Sequence, residues 1–123
     1  MADSDFEFFG GGGFINPMGK DGSKKSAYDI IKEAGYEVVE GCDQFEKCKD
    51  NVSKMLLLQD EGIESHELPY AIDRGEDDMT LSDVVESAIE FLEDKGSFFI
   101  MAEAGRIDWA AHSNDAKGTI LEI

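Results

Sequence analysis

Basic residues are scarce in this chain. Eleven lysines and arginines face 28 aspartates and glutamates, a net charge of −17 over 123 residues. A chain this acidic repels phosphate backbones, which argues against nucleic acid as a partner. Long apolar runs are missing as well, and none approaches the roughly 18 residues that a bilayer span needs. The start, MADSDFEFF, lacks the basic residues and the small-residue cleavage site of a signal peptide. Either the protein is not exported or an export signal lies outside this chain. Cysteine is nearly absent, with Cys42 and Cys48 the only two. A helix between them would set them about 9 Å apart along its axis, too far for a disulfide. Their spacing matches no thiolate zinc motif either. Both read as free thiols, with Cys48 packing toward the core.

What is present suffices for one compact domain. Hydrophobic residues make up 41% and charged residues 32%, a globular balance, and the length is too short for two domains. Asp5 to Phe9 reads as a strand that stops at four consecutive glycines, Gly10 to Gly13, where backbone must pass closely or turn sharply. Ser26 is an N-cap for a helix with Ile30, Ile31 and Ala34 inward and Gly35 as its stop. A strand over Tyr36–Glu40 and a helix over Asp43–Asp50 follow, with Phe45 and Cys48 on one face. The run Lys54 to Leu58 has the continuous apolar character of a strand buried on both faces.

Residues 59–79 show little periodicity and read as a long irregular connection, functional or packed on protein beyond this chain. From Thr80 or Ser82 a helix carries an apolar stripe of Leu81, Val84, Val85, Ala88, Phe91 and Leu92. Gly96 ends it, Ser97–Ala102 reads as a fourth strand, and a last helix begins near Ile107 or Asp108. The order β-α-β-α-β-loop-α-β-α predicts an α/β fold, a parallel sheet of about four strands with helices on both faces.

The glycine-rich loop is not a nucleotide motif. A G-x-G-x-x-G fingerprint would need glycine where Ile15 or Asn16 stands. Gly13 and Gly19 enclose five residues rather than the four of a phosphate loop, and Asp21 follows Lys20. Glu103, Asp108 and His112 have more chemistry in them. Glu103 sits just past the fourth strand, and ligands of open parallel sheets bind beyond the carboxyl ends of strands. Asp108 and His112, four apart at a helix start, can face one point and share one metal at about 2.0–2.2 Å. Glu103 could turn toward a neighbouring hard cation such as magnesium. The spacing alone equally allows Asp108 as a helix-dipole charge and His112 as a surface residue. Two ligands also fall short of the three usual for catalytic zinc. Nothing places His66, the other histidine, near them.

The stretch MAEAGRIDWAAHSNDA closely resembles the alkaline phosphatase segment that usually reads E-G-x-x-I-D-x-x-x-H, with Asn-Asp-Ala often following. FEFFGGGGF, ELPYAIDR and MTLSDVVESAIEFLED extend the resemblance, more weakly, over nearly the whole chain. The resemblance implies Glu103 as a magnesium ligand and Asp108 and His112 as two ligands of one catalytic zinc. It implies phosphate monoester hydrolysis through a phosphoserine intermediate, in a periplasmic or extracellular enzyme, with a homodimeric parent. Ala104 departs from the usual glycine. The family's Asp-Ser-Ala/Thr nucleophile motif, its Asp-His pair, a third zinc histidine, the metal-bridging aspartate and the phosphate-binding arginine have no counterparts here. Arg106 matches no catalytic arginine and is expected to point outward, and Trp109 is expected to pack in a core or between domains.

These gaps imply a middle fragment of a larger catalytic domain, inactive alone, binding metal weakly and self-associating to cover apolar faces. A free-standing interaction module, or another member of the phosphatase and sulfatase superfamily, are the alternatives. Flanking sequence would separate them.

Overall fold

The computed structural model describes residues 1–123, the side chains of Ile63 and Ser65 excepted. Three strands, β1 (Phe8–Gly11), β2 (Glu37–Glu40) and β3 (Met55–Leu58), form a parallel sheet in the order β1-β3-β2. Helix α1 (Ala27–Glu33) lies between β1 and β2 in sequence, and α2 (Gly41–Cys48) between β2 and β3. One-turn α3 (Gly62–Ser65), then α4 (Leu81–Glu93), α5 (Gly105–His112) and α6 (Ala116–Leu121) complete the chain.

Central β3 explains the layering. Its four residues are all buried, and alternation sends them to opposite faces. Met55 and Leu57 join Val39, Phe45, Met79, Val84, Phe91 and Leu92, so α2 and α4 cover one face. Leu56 and Leu58 join Tyr28, Ile31 and Tyr36, so α1 covers the other. The expected helices on both faces are therefore present. Burying a residue such as Leu57 contributes about 1.5–3 kcal/mol.

Local signals set the element ends. Thr80 Oγ1 accepts from Asp83 N at 3.0 Å and Asp83 Oδ2 accepts from Thr80 N at 2.7 Å, a reciprocal capping box. Ser26 caps α1 by accepting from Tyr28 N, and Gly35 at φ +88° ends that helix. On α1 the buried residues are Tyr28 and Ile31, whereas Ile30 is 43% exposed. Tyr28 takes the inward place because its hydroxyl accepts from Phe14 N at 3.1 Å. Both cysteines are free, and Cys48 packs against the α2–α4 core.

Strand β1 starts three residues later than the sequence suggests and takes in two glycines. Its register with β3, Phe8 beside Met55 through Gly11 beside Leu58, decides the strand, since ladder pairing outweighs residue propensity. The glycines allow close approach: a Cβ on Gly10 would lie 2.4 Å from Val84 Cγ1, and one on Gly12 would lie 2.1 Å from Glu67 Cα.

The fourth strand does not form. Residues 97–102 run without strand structure, and the stretch from Phe99 is separated from β1 and α4 by a cleft of about 370 Å³. Only Ile100 of this run packs against the core, while Phe99 and Met101 are 79% and 83% exposed. A parallel strand is covered on both faces, and the exposure of Phe99 and Met101 shows that this run lacks such cover among the described residues. The sheet thus has three strands rather than about four, and a free edge at β1.

The connection 59–79 is irregular apart from α3, but it is tied down. Gln59, 3% exposed, donates to Asp78 Oδ1 at 2.6 Å and accepts from Met79 N at 2.9 Å, closing its two ends.

Candidate metal centre

Helix α5 begins at Gly105, two residues before the start read from the sequence. Ala104 precedes it as an uncapped N-cap at φ −94°. Ala104 is exposed, at a negative φ open to residues other than glycine. The helix ends where Asn114 turns left-handed at φ 56°. Asp115 then caps α6 by accepting from Gly118 N at 2.9 Å. Helix α6 is absent from the predicted order, although Asp115 before Ala116 is an N-cap signal for it.

On α5, Asp108 and His112 do share a face. Asp108 Oδ1 lies 3.5 Å from His112 Nε2, with the side chains 70% and 79% exposed. Two ligands of a tetrahedral ion with bonds near 2.1 Å are separated by ~3.4 Å. The pair is therefore spaced to hold one ion between an oxygen and a nitrogen donor. Such exposure leaves room for further ligands, and the two residues alone fill half a tetrahedral shell.

Glu103 is not gathered with them. Among the described residues, no three metal-ligating side chains cluster. Glu103 is exposed and stands between the cleft beside β1 and a second, of about 620 Å³, that Leu68, Arg74, Thr80 and Arg106 also line. The structure thus brings together two of the three residues singled out. His66 follows α3 in a left-handed conformation, φ 67°, with its Nδ1 buried and unpartnered. It lies against the glycine-rich loop, its Cα 3.0 Å from where a Gly13 Cβ would stand.

Acidic residues also line a cleft of about 700 Å³ past the ends of β2 and β3, among them Asp43, Asp60, Asp78 and Asp83. Burial, then the charges of Asp83, Asp43, Glu46 and Asp60, push the thiol of Cys42 up there. A raised thiol is a poor thiolate ligand at neutral pH.

Two expectations about α5 change. Trp109 is 51% exposed and so lies outside the core of this chain, which leaves the other expected role, packing between domains. Arg106 points inward: Nε and Nη2 both donate to the Leu68 carbonyl, at 2.8 and 2.5 Å. Nη2 lies 3.2 Å from Glu67, and the guanidinium sits 4.1 Å above the Tyr70 ring. A planar group with several donors is satisfied by one carbonyl, one carboxylate and one ring face, which outweighs hydration of the charge.

The comparisons agree with this architecture. The alkaline phosphatase family model matches residues 6–123. Alkaline phosphatase 3 of Bacillus subtilis (strain 168) is 38% identical over 114 residues, 92% of this chain and 23% of that protein. The alkaline phosphatase from the Antarctic bacterium TAB5 is similar in structure, with a TM-score of 0.77 at 33% identity, over 99% of this chain and 34% of that one. A mutant of the TAB5 enzyme with magnesium bound in its M3 site also has a TM-score of 0.77, at 31% identity over 98% of this chain and 33% of that one. The chain therefore spans about a quarter of the curated relative and a third of the solved structures.

Proposed function

The chain belongs to the alkaline phosphatase family, and from that premise we propose that it is the metal-ligating middle portion of a phosphate monoester hydrolase. The observation that carries the reading is the 3.5 Å separation of Asp108 Oδ1 and His112 Nε2 on an exposed face of α5. The whole protein hydrolyses phosphate monoesters through a phosphoserine intermediate. Its serine lies elsewhere, because this chain contains no Asp-Ser-Ala or Asp-Ser-Thr tripeptide.

Asp108 and His112 would hold a zinc ion and Glu103 a magnesium ion, and a solved relative, a TAB5 alkaline phosphatase mutant, binds magnesium. When bound, zinc supplies Lewis-acid polarisation and an activated water at neutral pH. The chain's own part is to orient one carboxylate oxygen and one imidazole nitrogen on a single helix face. Half a shell holds metal weakly, so affinity in this chain is far below that of a complete site.

Among the described residues no helix is long and apolar enough to cross a membrane. Family membership supports a periplasmic or extracellular setting. Phe99, Met101 and Ile123, each at least 79% exposed, together with the free edge of β1, favour self-association of this chain.

Pure chain supplied with zinc and magnesium is expected to hydrolyse no p-nitrophenyl phosphate above background. Turnover that survives further purification and vanishes in His112→Ala would show that the chain carries its own nucleophile, against this reading.

A further inference from the structure

Helix α5 has little direct hold on the sheet. It packs on α6, and neither helix makes a comparable contact with a strand, with α1, with α2 or with α4. Ala110 is the one buried residue of α5. Two side-chain links reach instead to the connection after α3: Glu122, just past α6, accepts from Ala71 N at 2.6 Å, and Arg106 binds the Leu68 carbonyl through two nitrogens.

That connection is itself seated on the sheet. Glu67 and Leu68 run over Gly12 so closely that no Cβ would fit there, and Gly12 directly follows β1. The Glu122 link reaches only the end of α6, so the direct path from sheet to α5 runs from Gly12 to Glu67–Leu68 and then through Arg106. Arg106 is only 17% exposed, with its guanidinium 4.1 Å from the Tyr70 ring and 5.4 Å from the Trp109 ring.

From this path we infer that Arg106 is the positioning residue of the metal-bearing helix, fixing where Asp108 and His112 stand relative to the sheet. Its donors are engaged by the Leu68 carbonyl and the Glu67 carboxylate, so it acts through the helix it anchors. Its guanidinium has the two parallel donors and the flat face that one carbonyl and two rings require, and a lysine offers neither. The positional role follows from the geometry alone, and its link to metal rests on the function proposed above.

Amide hydrogen exchange of the metal-free chain tests it, with Arg106→Lys and Arg106→Gln beside the wild type. Both variants are expected to exchange about tenfold faster over 105–112, as loss of a charge-assisted, doubly donated bond implies, with 81–93 unchanged. The anisotropy of Trp109, the single tryptophan, is expected to fall in parallel. Glu67→Gln, which leaves the Leu68 carbonyl in place, is expected to change exchange less than about threefold. Rates over 105–112 within twofold of wild type in Arg106→Lys would overturn the inference, because a role through charge alone survives that change. Equal acceleration over 81–93 would overturn it too, since Arg106 would then hold the whole fold. A zinc titration of His112→Ala tells the two readings apart. If it matches wild type, the metal assignment fails, while the exchange data still decide the role of Arg106.

Discussion

Gly12→Ala is expected to destabilise the chain by about 3 kcal/mol, the upper range for overpacking, because the added methyl has nowhere to go. It would stand 2.1 Å from Glu67 Cα, 2.2 Å from Glu67 C and 2.4 Å from Leu68 N, all backbone atoms. Backbone cannot rotate aside as a side chain can, so the strand end or the connection must move. Moving the connection carries away the Leu68 carbonyl, so the substitution should also loosen α5 through Arg106. Gly11→Ala is the control, since nothing lies within 4 Å of its added Cβ. Urea unfolding should show Gly11→Ala within about 1 kcal/mol of wild type and Gly12→Ala far below it. Equal midpoints for the two variants would show that the close approach at Gly12 does not constrain the fold.

Leu57→Ala should cost about 3–5 kcal/mol, the range for deleting a fully buried leucine whose surroundings cannot collapse. Leu57 is 0% exposed on the central strand and belongs to the cluster shared by β2, α2 and α4. Neighbours on both flanking strands and two covering helices leave no easy way to fill the gap. Against a total stability of about 5–15 kcal/mol, the loss unfolds a substantial fraction of molecules on warming. Ile30→Ala, at a position 43% exposed, should cost less than about 1.5 kcal/mol. A thermal scan in which the two variants melt together would contradict the placement of the core on β3.

Much of the fold is readable because its signals are local. The run Met55 to Leu58 announces a strand buried on both faces, and Thr80, one of two capping candidates with Ser82, announces the start of α4. The four glycines announce close backbone passage, which Gly10, Gly12 and Gly13 then show. Asp108 and His112 were readable as a pair because a four-residue spacing brings side chains together on any helix.

What escaped reading depends on distant partners. Ser97–Ala102 has the composition of a strand, but a strand also needs a free ladder and cover on both faces, and neither is encoded locally. Arg106 looked like a surface charge because its acceptor is a backbone carbonyl 38 residues away, and a carbonyl leaves no mark in a sequence. Glu103 illustrates the opposite limit. Its place past an expected strand suggested a cation and the family resemblance made it a magnesium ligand, yet among the described residues it joins no cluster with Asp108 and His112.

The central claim is that Asp108 and His112 form one half of a metal site. Zinc titration of the chain, followed by nitrogen-15 NMR of the imidazole rings, tests it most directly, since there are only two histidines to assign. The predicted result is weak, saturable perturbation of His112 at Nε2, with His66 unaffected and the effect lost in Asp108→Asn. A His112 ring indifferent to zinc, or one that responds equally in Asp108→Asn, would contradict the claim.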